Sequence, residues 1–186
     1  LRKQFGVNPR TAAEYLPRSE DAGGLYRLDD VLVDGELFRR LRLRASHRDD
    51  QRLRVQDWWQ ALDLVRGVPF SGVRSGGCAW LADQQIDEEY RSLIVDIAHQ
   101  LATHHLEVGE PALAEKAARV AMTVFDPADP VADICLLDLV WSCDAQGRRA
   151  EGDAYADQIK ANHGEVLEDC PPRTYQLLMR RQQRAA

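Results

Sequence analysis

The sequence predicts an all-α protein built from helical hairpin repeats, with a small β-hairpin appendage near its beginning. Two segments, GEPALAEKAARVA at 109–121 and GRRAEGDAYADQI at 147–159, share a spacing pattern and lie 38 residues apart, within the roughly 20–50 residue period of helical repeats. Leucine and alanine are abundant, whereas glycine and proline are modest. Apolar residues recur every three or four positions between glycine and proline breaks, which is typical of amphipathic helices. These observations favour a stack of helix pairs.

The two segments place small residues at matching positions of each predicted hairpin. Each begins with a turn glycine, followed by a small residue five positions on, another four later and an apolar residue three later. Small side chains at these offsets allow two helices to approach closely, as in a tetratricopeptide-type unit. We therefore expect tetratricopeptide-like packing through Gly109, Ala114, Ala118 and Ala121 in the first copy and through Gly147, Gly152, Ala156 and Ile159 in the second.

Seven helices are predicted between residues 34 and 183. Asp34 is suited to begin the first helix as its N-cap, and Pro130 suits the first turn of the fifth. Leu113 and Ile134 are among the residues predicted to lie on core-facing apolar stripes. The predicted bounds are 34–47, 51–65, 80–108, 111–125, 130–145, 148–162 and 173–183.

Residues 1–30 differ from the helical remainder. LRKQFG at 1–6 is typical of the last turn of a helix that ends on glycine, and Asn8-Pro9 marks a turn. Two short β-prone pieces at 15–16 and 25–28, separated by a glycine-bearing connector, predict a small hairpin. Two strands alone are only marginally stable, so the hairpin should pack on another element. We therefore divide the chain into residues 1–30 and a helical domain at 31–186.

The net charge of −6 is unevenly distributed over the 186 residues. Residues 1–74 carry 14 basic and 11 acidic side chains, whereas the remainder carries 10 and 19. The acidic helical region argues against general nucleic-acid binding there, while the basic first part leaves room for a local contact. No apolar run approaches the roughly 18 residues that span a bilayer. The 4 cysteines show no CxxC pair and no dense spacing, which favours buried thiols in a reducing cytoplasm.

No constellation of residues predicts an enzyme, a metal site or a cofactor. His104 and His105 are adjacent and would point about 100° apart on a helix, and the ligand-like spacing of Asp96 and His99 is common on solvated helix faces. The serines of FSGVRSGG at 70–77 lack the GxSxG spacing of a nucleophile elbow, and no GK[ST] follows its glycines. We therefore predict no catalytic residue, no metal ligand and no cofactor.

Two groups of residues leave alternatives open. Seven arginines within sixteen positions suit either ion pairs with the acidic helices or an anionic partner, and these are Arg39, Arg40, Arg42, Arg44, Arg48, Arg52 and Arg54. The tryptophans lie on apolar stripes, where core packing is the first expectation, and these are Trp58, Trp59, Trp80 and Trp141. Trp80 follows a glycine-rich loop, so it is also a candidate to line a ligand or partner surface with Gln84 and Arg91.

Several further segments occur in a recognisable order. They are YRL at 26–28, Val33-Asp34, Phe38, ALDLVRGVPF at 61–70, Trp80 and the two repeat segments. This ordered set covers about residues 25–165 and resembles the bacterial transcriptional activator domain of the actinobacterial regulators known as Streptomyces antibiotic regulatory proteins. A closer resemblance, to large actinobacterial proteins that join a LysM peptidoglycan-binding module to this domain, is carried by YLPR at 15–18, VRGVPF at 65–70, GGCAWL at 76–81, IVDIAHQLATH at 94–104 and PPRT at 171–174.

The resemblance implies an all-helical, tetratricopeptide-like domain with no known catalytic residues. In those regulators a winged helix-turn-helix precedes the activator domain, and residues 1–6 and 15–28 resemble the end of its recognition helix and its wing. Arg2, Lys3, Arg18 and Arg27 would then be phosphate contacts of a DNA-binding parent. Members of the LysM group often carry transmembrane helices upstream, which implies a membrane-anchored parent with this piece in the cytosol. The chain lacks an initiator methionine, so we expect it to be a piece of such a protein.

These features suggest three functions of different classes. We favour a non-enzymatic, intracellular regulatory and protein-interaction module of a transcription-regulator-like parent, with self-association as one form of contact. The second is the DNA-contacting part of a winged-helix regulator. The third is a small-molecule sensor, with a ligand between the Trp80 loop and the long helix. DNA and membrane contacts are expected only through upstream regions of the parent.

Overall fold

The computed structural model describes residues 6–16, 33–72, 83–125, 129–163 and 171–185. Within these ranges it contains seven α-helices and no strand beyond an isolated bridge, so the predicted all-α class is confirmed. None of these helices combines the length and the apolar character that crossing a membrane needs. The helices are α1 Asp34–Ser46, α2 Gln51–Leu62, α3 Ile86–Glu107, α4 Pro111–Met122, α5 Asp133–Ala145, α6 Arg149–His163 and α7 Pro172–Ala185, and a 3-10 turn at Pro130–Ala132 precedes α5.

Contacts divide the chain into two units, residues 1–37 and 38–186. In the first unit, residues 6–16 form a tight turn. The Asn8 N–H donates to the Ala13 carbonyl at 2.8 Å, and Val7 and Glu14 form an isolated antiparallel bridge. The turn predicted at Asn8-Pro9 is therefore present. Residues 1–5, most of the predicted β-hairpin and the predicted boundary after residue 30 lie outside the described residues and stay predictions.

Aspartates stabilise the beginnings of α1 and α2. The Gly35 N–H donates to the Asp34 carboxylate at 2.8 Å. Asp50 caps α2, because its carboxylate accepts hydrogen bonds from the N–H groups of Arg52 and Leu53. α2 ends at residue 62, three residues before its predicted end. The apolar residues that α1 and α2 bury are Phe38, Leu41, Ala45, Ala61 and Leu62.

The arginines of α1 are used largely in ion pairs with carboxylates on α2 and α3. Asp57, whose side chain is only 4% exposed, accepts hydrogen bonds from Arg44 at 2.6 and 2.9 Å and from Arg48 at 3.2 Å. The hydrogen bond from Arg44 lowers the pKa of the Asp57 carboxyl below its ordinary value, against the effect of burial. The structure thus favours ion pairing over an anionic partner for these arginines. Two further pairs join α1 to α3, Arg39 with Glu89 at 2.7 Å and Arg42 with Asp96 at 3.0 Å.

The hairpins α3–α4 and α5–α6 have the same turn. Gly109 and Gly147 adopt φ values of 77° and 75°, in the left-handed region that glycine enters without steric cost. In each turn the glycine N–H donates to the carbonyl three residues earlier, at 3.2 and 3.0 Å. The next N–H donates to the carbonyl five residues earlier, at 2.7 and 2.9 Å. This pair of bonds is a Schellman cap, so the two predicted turn glycines end equivalent helices.

The helices of the second unit form a stack in which α5 is central. It packs against α3, α4 and α6, and nearly every side chain between residues 135 and 143 is buried. The small and apolar residues predicted at the helix contacts are also buried, which supports the helical repeat-like character of the chain. They are Ala114, Ala118, Ala121, Gly152, Ala156 and Ile159. One core cluster of buried residues consists of Ala118, Leu136, Leu137, Leu139, Val140, Ala156, Ile159 and Leu178.

Some details differ from the predictions. α3 begins at Ile86 rather than at residue 80, because Gln85 adopts a left-handed φ of 52° that interrupts a helix. Leu113 and Ile134 were expected in the core but are 39% and 43% exposed. Alanines occupy the buried face of α4, and Ile134 lies in the first turn of α5, where solvent reaches the helix. The tryptophans within the described ranges, Trp58, Trp59 and Trp141, are half-buried rather than enclosed.

Candidate functional site

A cavity between α5, α6 and α7 is the strongest candidate for a functional site. Its volume is about 520 Å³, and it opens to solvent. This volume lies within the roughly 300–1,000 Å³ typical of ligand pockets. We call it the Trp141 groove, and its lining residues are Trp141, Asp144, Gly147, Arg149, Gln176, Leu177, Arg180 and Arg181.

Helical periodicity explains how three elements contribute to the groove. Trp141 and Asp144 are three residues apart on α5, so they lie on the same face. The groove residues of α7 lie at 176, 177, 180 and 181 and form one stripe for the same reason. Leu178 holds α7 in place, because its side chain is fully buried in the core cluster. The α5–α6 turn and the first residue of α6 complete the lining.

Arg181 ties α7 to the other two helices. Its guanidinium group donates to both oxygens of the Asp144 carboxylate, at 2.5 and 2.6 Å, and also pairs with Asp153. A Cβ atom on Gly152 would lie 3.0 Å from Asp144 Oδ1 and 3.1 Å from Arg181 Nη2. Because Gly152 has no side chain, the Asp144–Arg181 ion pair fits against α6 and closes one side of the groove.

Two arginines of the groove have no acidic partner in the described part of the chain. The side chains of Arg149 and Arg180 are exposed, and neither forms an ion pair or a hydrogen bond with a residue that the structure describes. The nearest carboxylate of the lining, Asp144, is already bound by Arg181. The exposed guanidinium groups of Arg149 and Arg180 can therefore bind an anionic group of a ligand in the groove.

Trp141 and Leu177 supply the apolar part of the groove. Both side chains are half-buried, and both pack against the core cluster with one side while lining the groove with another. Within the described ranges the indole N–H of Trp141 has no hydrogen-bond partner. Such an aromatic ring offers both a large contact area and a polar donor.

A second depression, of about 420 Å³, follows the outer face of α4 and is more open. Its cations already have partners. Arg119 pairs with Glu115 at 2.7 Å, and Lys116 Nζ lies 4.7 Å from the ring centroid of Trp59. This depression therefore offers less to a ligand than the Trp141 groove does.

Glu115 connects α4 to the α5–α6 turn, which forms one edge of the groove. Its carboxylate accepts hydrogen bonds from Gln146 at 2.9 Å and from Arg119 at 2.7 and 2.8 Å, and it also pairs with Arg148. Burial raises the pKa of the Glu115 carboxyl, but the hydrogen bonds from these three side chains outweigh it and bring the pKa below its ordinary value. The ionised form is thus the one that the folded state stabilises.

Replacing Glu115 with glutamine is expected to lower the free energy of unfolding by about 2 kcal/mol at neutral pH, because the bonds to charged partners are weakened. The pKa of the Glu115 carboxyl is lower in the folded state than in the unfolded state. The stabilisation is therefore fully present above the unfolded-state pKa, and it disappears as the pH falls through the folded-state pKa. Urea unfolding at neutral pH and below about pH 4 measures both values. Glu151→Gln, which alters an exposed partner of Arg148, is the control and should change stability by less than about 0.5 kcal/mol. An equal loss at both pH values would contradict the assignment.

Among the described residues, the predicted repeat glycine Gly147 lines the Trp141 groove, whereas Gln84 and Arg91 do not. Trp80 is outside the described residues, Gln84 is exposed in the turn before α3, and the Arg91 guanidinium pairs with Glu88 at 3.2 Å on the same helix. Trp80, Gln84 and Arg91 thus stay a predicted surface. The predicted phosphate contacts also lie outside the described residues and stay predictions; they are Arg2, Lys3, Arg18 and Arg27.

The buried polar groups of the helical stack are engaged with one another. Burial raises the pKa of the Cys135 thiol to about 12 and also raises that of Cys143, so both thiols stay protonated at neutral pH.

Among the described residues, no three His, Cys, Asp or Glu side chains are grouped as metal ligands. The histidine contacts are His99 with Asp138 at 2.9 Å, His105 with Trp59 at 3.0 Å and Glu110 at 2.8 Å, and His163 with Asp133.

None of the groove arginines is predicted as a site residue from the sequence, and Trp141 is predicted as core. The sequence does contain a signal for the arginines of α7. The segment YQLLMRRQQR at 175–184 has the pattern of an amphipathic helix with arginines next to its apolar stripe. Comparisons of the chain with protein-family models, with curated proteins and with solved structures found no match. The class is therefore defined by fold and site, as an all-α, helical repeat-like domain with an arginine-lined groove.

Proposed function

We propose that this chain is a non-enzymatic regulatory and protein-interaction module of a transcription-regulator-like parent protein, and that its partner binds in the Trp141 groove. The observation that carries the proposal is an open cavity in which a half-buried tryptophan lies beside two arginines, Arg149 and Arg180, that form no ion pair with a described residue. Tryptophan and arginine are enriched among the residues that contribute most to protein–protein binding. The helices that carry them are anchored in a packed core, which holds the surface ready for a partner.

The arrangement of α3 to α6 supports a tetratricopeptide-like architecture for the module. α5 packs on both helices of the preceding hairpin and on its own partner α6, and the two hairpins share the same glycine cap. Repeats of this kind contact mainly their neighbours and leave extended surfaces for binding. The resemblance to the bacterial transcriptional activator domain implies the same architecture. The proposal therefore includes self-association among the contacts that the module makes.

The chemistry of the described residues supports binding rather than catalysis. His99 pairs with Asp138 and His163 with Asp133 in the stack, and Asp144, the carboxylate of the groove lining, is bound by Arg181. Cys135 and Cys143 are buried thiols whose raised pKa values keep them unreactive at neutral pH. Free thiols agree with a reducing compartment, so the proposal places the module in the cytoplasm.

The test compares the wild-type chain with Trp141→Ala in two measurements. Sedimentation velocity reports self-association, and affinity capture from a bacterial lysate reports other protein partners. We expect the wild-type chain to self-associate or to enrich a protein, and the variant to lose that contact while its helical circular dichroism persists. Trp58→Ala, which alters another half-buried tryptophan away from the groove, should retain the contact. A strictly monomeric wild-type chain that enriches no protein would overturn the proposal.

A further inference from the structure

We infer that the Trp141 groove binds an acidic peptide segment, whose carboxylates contact Arg149 and Arg180 and whose apolar side chain packs on Trp141. The inference rests on the proposed function and specifies the chemistry of the partner. Charge, shape and the surroundings of the groove each support it.

The charge of the groove is opposite to that of the region that contains it. Residues 75–186 carry 10 basic and 19 acidic side chains, yet three of these basic residues line this cavity. Arg181 is used by Asp144 and Asp153, so the other two arginines determine the charge that a ligand meets. A guanidinium group binds a carboxylate through two parallel hydrogen bonds, and a pair of such groups suits a segment with two or more acidic residues.

The apolar part of the groove suits a side chain between those acidic residues. Trp141 and Leu177 are half-buried and adjoin the core cluster, so a side chain placed on them would be removed from water without rearranging the stack. Gln176 is exposed on the α7 side of the groove and has an amide suited to a peptide backbone. A cavity of about 520 Å³ has room for side chains but not for a folded domain. An extended segment is therefore the form of partner that fits.

A nucleic acid fits this groove less well than a peptide does. Binding of a phosphate backbone requires cations along an extended track, whereas these arginines are confined to one cavity. Asp153 and Asp157 follow Arg149 at four-residue intervals on α6, so carboxylates continue the same helix face. Asp153 is paired with Arg181 and Asp157 with Lys160 at 2.9 Å, so beyond Arg149 this face offers no unpaired cation among the described residues to successive phosphates. A short acidic segment can avoid these carboxylates by ending within the cavity.

Fluorescence anisotropy with the full chain tests the inference. One short labelled peptide alternates aspartate and glutamate with leucine, and a second has asparagine and glutamine in place of the acids. We expect saturable binding of the acidic peptide, weaker at high salt, and none of the neutral one. Arg149→Glu with Arg180→Glu should weaken binding by roughly tenfold or more. Arg52→Glu with Arg66→Glu, which changes the net charge equally at exposed arginines outside the groove, should stay within about twofold.

The remaining outcomes distinguish failure of the acidic-peptide inference from failure of the proposed function. Equal weakening by both double variants, or equal binding of the neutral peptide, would overturn the inference. Displacement of the peptide by a single-stranded oligonucleotide at lower concentration than by unlabelled acidic peptide would assign the groove to nucleic acid instead. If the acidic peptide does not bind but the contact sensitive to Trp141→Ala persists, only the acidic chemistry is wrong. If that contact is also absent, the proposed function fails as well.

Discussion

Replacing His99 with alanine is expected to lower the free energy of unfolding by about 3 kcal/mol at neutral pH, because it leaves a buried carboxylate without its partner. The Asp138 side chain is 1% exposed, and its oxygens lie 2.9 and 3.1 Å from His99 Nδ1. The two residues join α3 to α5 at the centre of the stack. A carboxylate in such a position is costly unless it is hydrogen-bonded.

The loss should shrink as the solution becomes acidic. Burial raises the pKa of the Asp138 carboxyl above its ordinary value, and the hydrogen bond from His99 opposes that rise. Without His99 only the effect of burial remains, so the folded-state pKa rises further above the unfolded one. The folded variant then binds a proton more readily than the unfolded chain, and its stability falls as the pH increases through the folded-state pKa. Urea unfolding of wild type and variant at neutral pH and near pH 5 measures the difference.

A double variant separates the buried charge from lost packing. His99→Ala combined with Asp138→Leu removes the carboxylate and fills its place with a side chain of similar volume. Because the double variant no longer buries a carboxyl group without its partner, it should be more stable than His99→Ala alone. The loss of unfolding free energy in His99→Ala could be the same at both pH values and unchanged by the second substitution. Such a result would show that lost packing alone is responsible.

Replacing Ala118 with leucine is expected to cost about 3 kcal/mol of unfolding free energy, because the α4 contact has no room for a larger side chain. Ala118 is fully buried in the core cluster, and its counterpart in the second repeat, Ala156, is 1% exposed in the same cluster. Alanine and leucine have similar helix propensities, so the change reports packing rather than helix formation. Thermal or urea unfolding followed by circular dichroism measures the effect.

The same substitution on the other face of α4 provides the matched control. Ala112 is exposed, and Ala112→Leu should change the stability by no more than about 0.5 kcal/mol. If both variants were equally stable, the small residues of the repeat would not be required for close packing of the helices. The structural equivalence of Ala118 and Ala156 would then have no energetic meaning.

The helices and their turns could be predicted from the sequence because their causes are local. Apolar residues at intervals of three or four favour a helix wherever no glycine or proline interrupts them. Gly109 and Gly147 end helices because only glycine enters the left-handed region easily, a property of the residue itself. The burial expected for Ala118 and Ala156 follows from the repeat, since small side chains at equal offsets permit the same close contact in each copy.

The ion pairs and the exposed apolar residues could not be predicted in the same way. Arg39 and Arg42 pair with carboxylates 50 and 54 residues further along the chain, so the choice between ion pairs and an anionic partner depends on how α1 meets α3. Ile134 belongs to an apolar pattern but lies in the first turn of α5, where no neighbour covers it. Periodicity identifies the apolar face of a helix and not how far along the helix its neighbours extend.

For this protein, the sequence by itself determined the all-α class, the order of the helices, their approximate bounds and the two equivalent glycine turns, because each depends on residues within a few turns of one another. Only the tertiary structure decided the Trp141 groove. Its residues come from 141–149, at the end of α5 and the beginning of α6, and from 176–181 on one stripe of α7, so two separate parts of the chain meet there. It also decided which arginines are paired, since Arg181 meets Asp144 and Asp153 while Arg149 and Arg180 do not. A side chain's availability for binding depends on the charges that the fold places around it, and no local pattern specifies them.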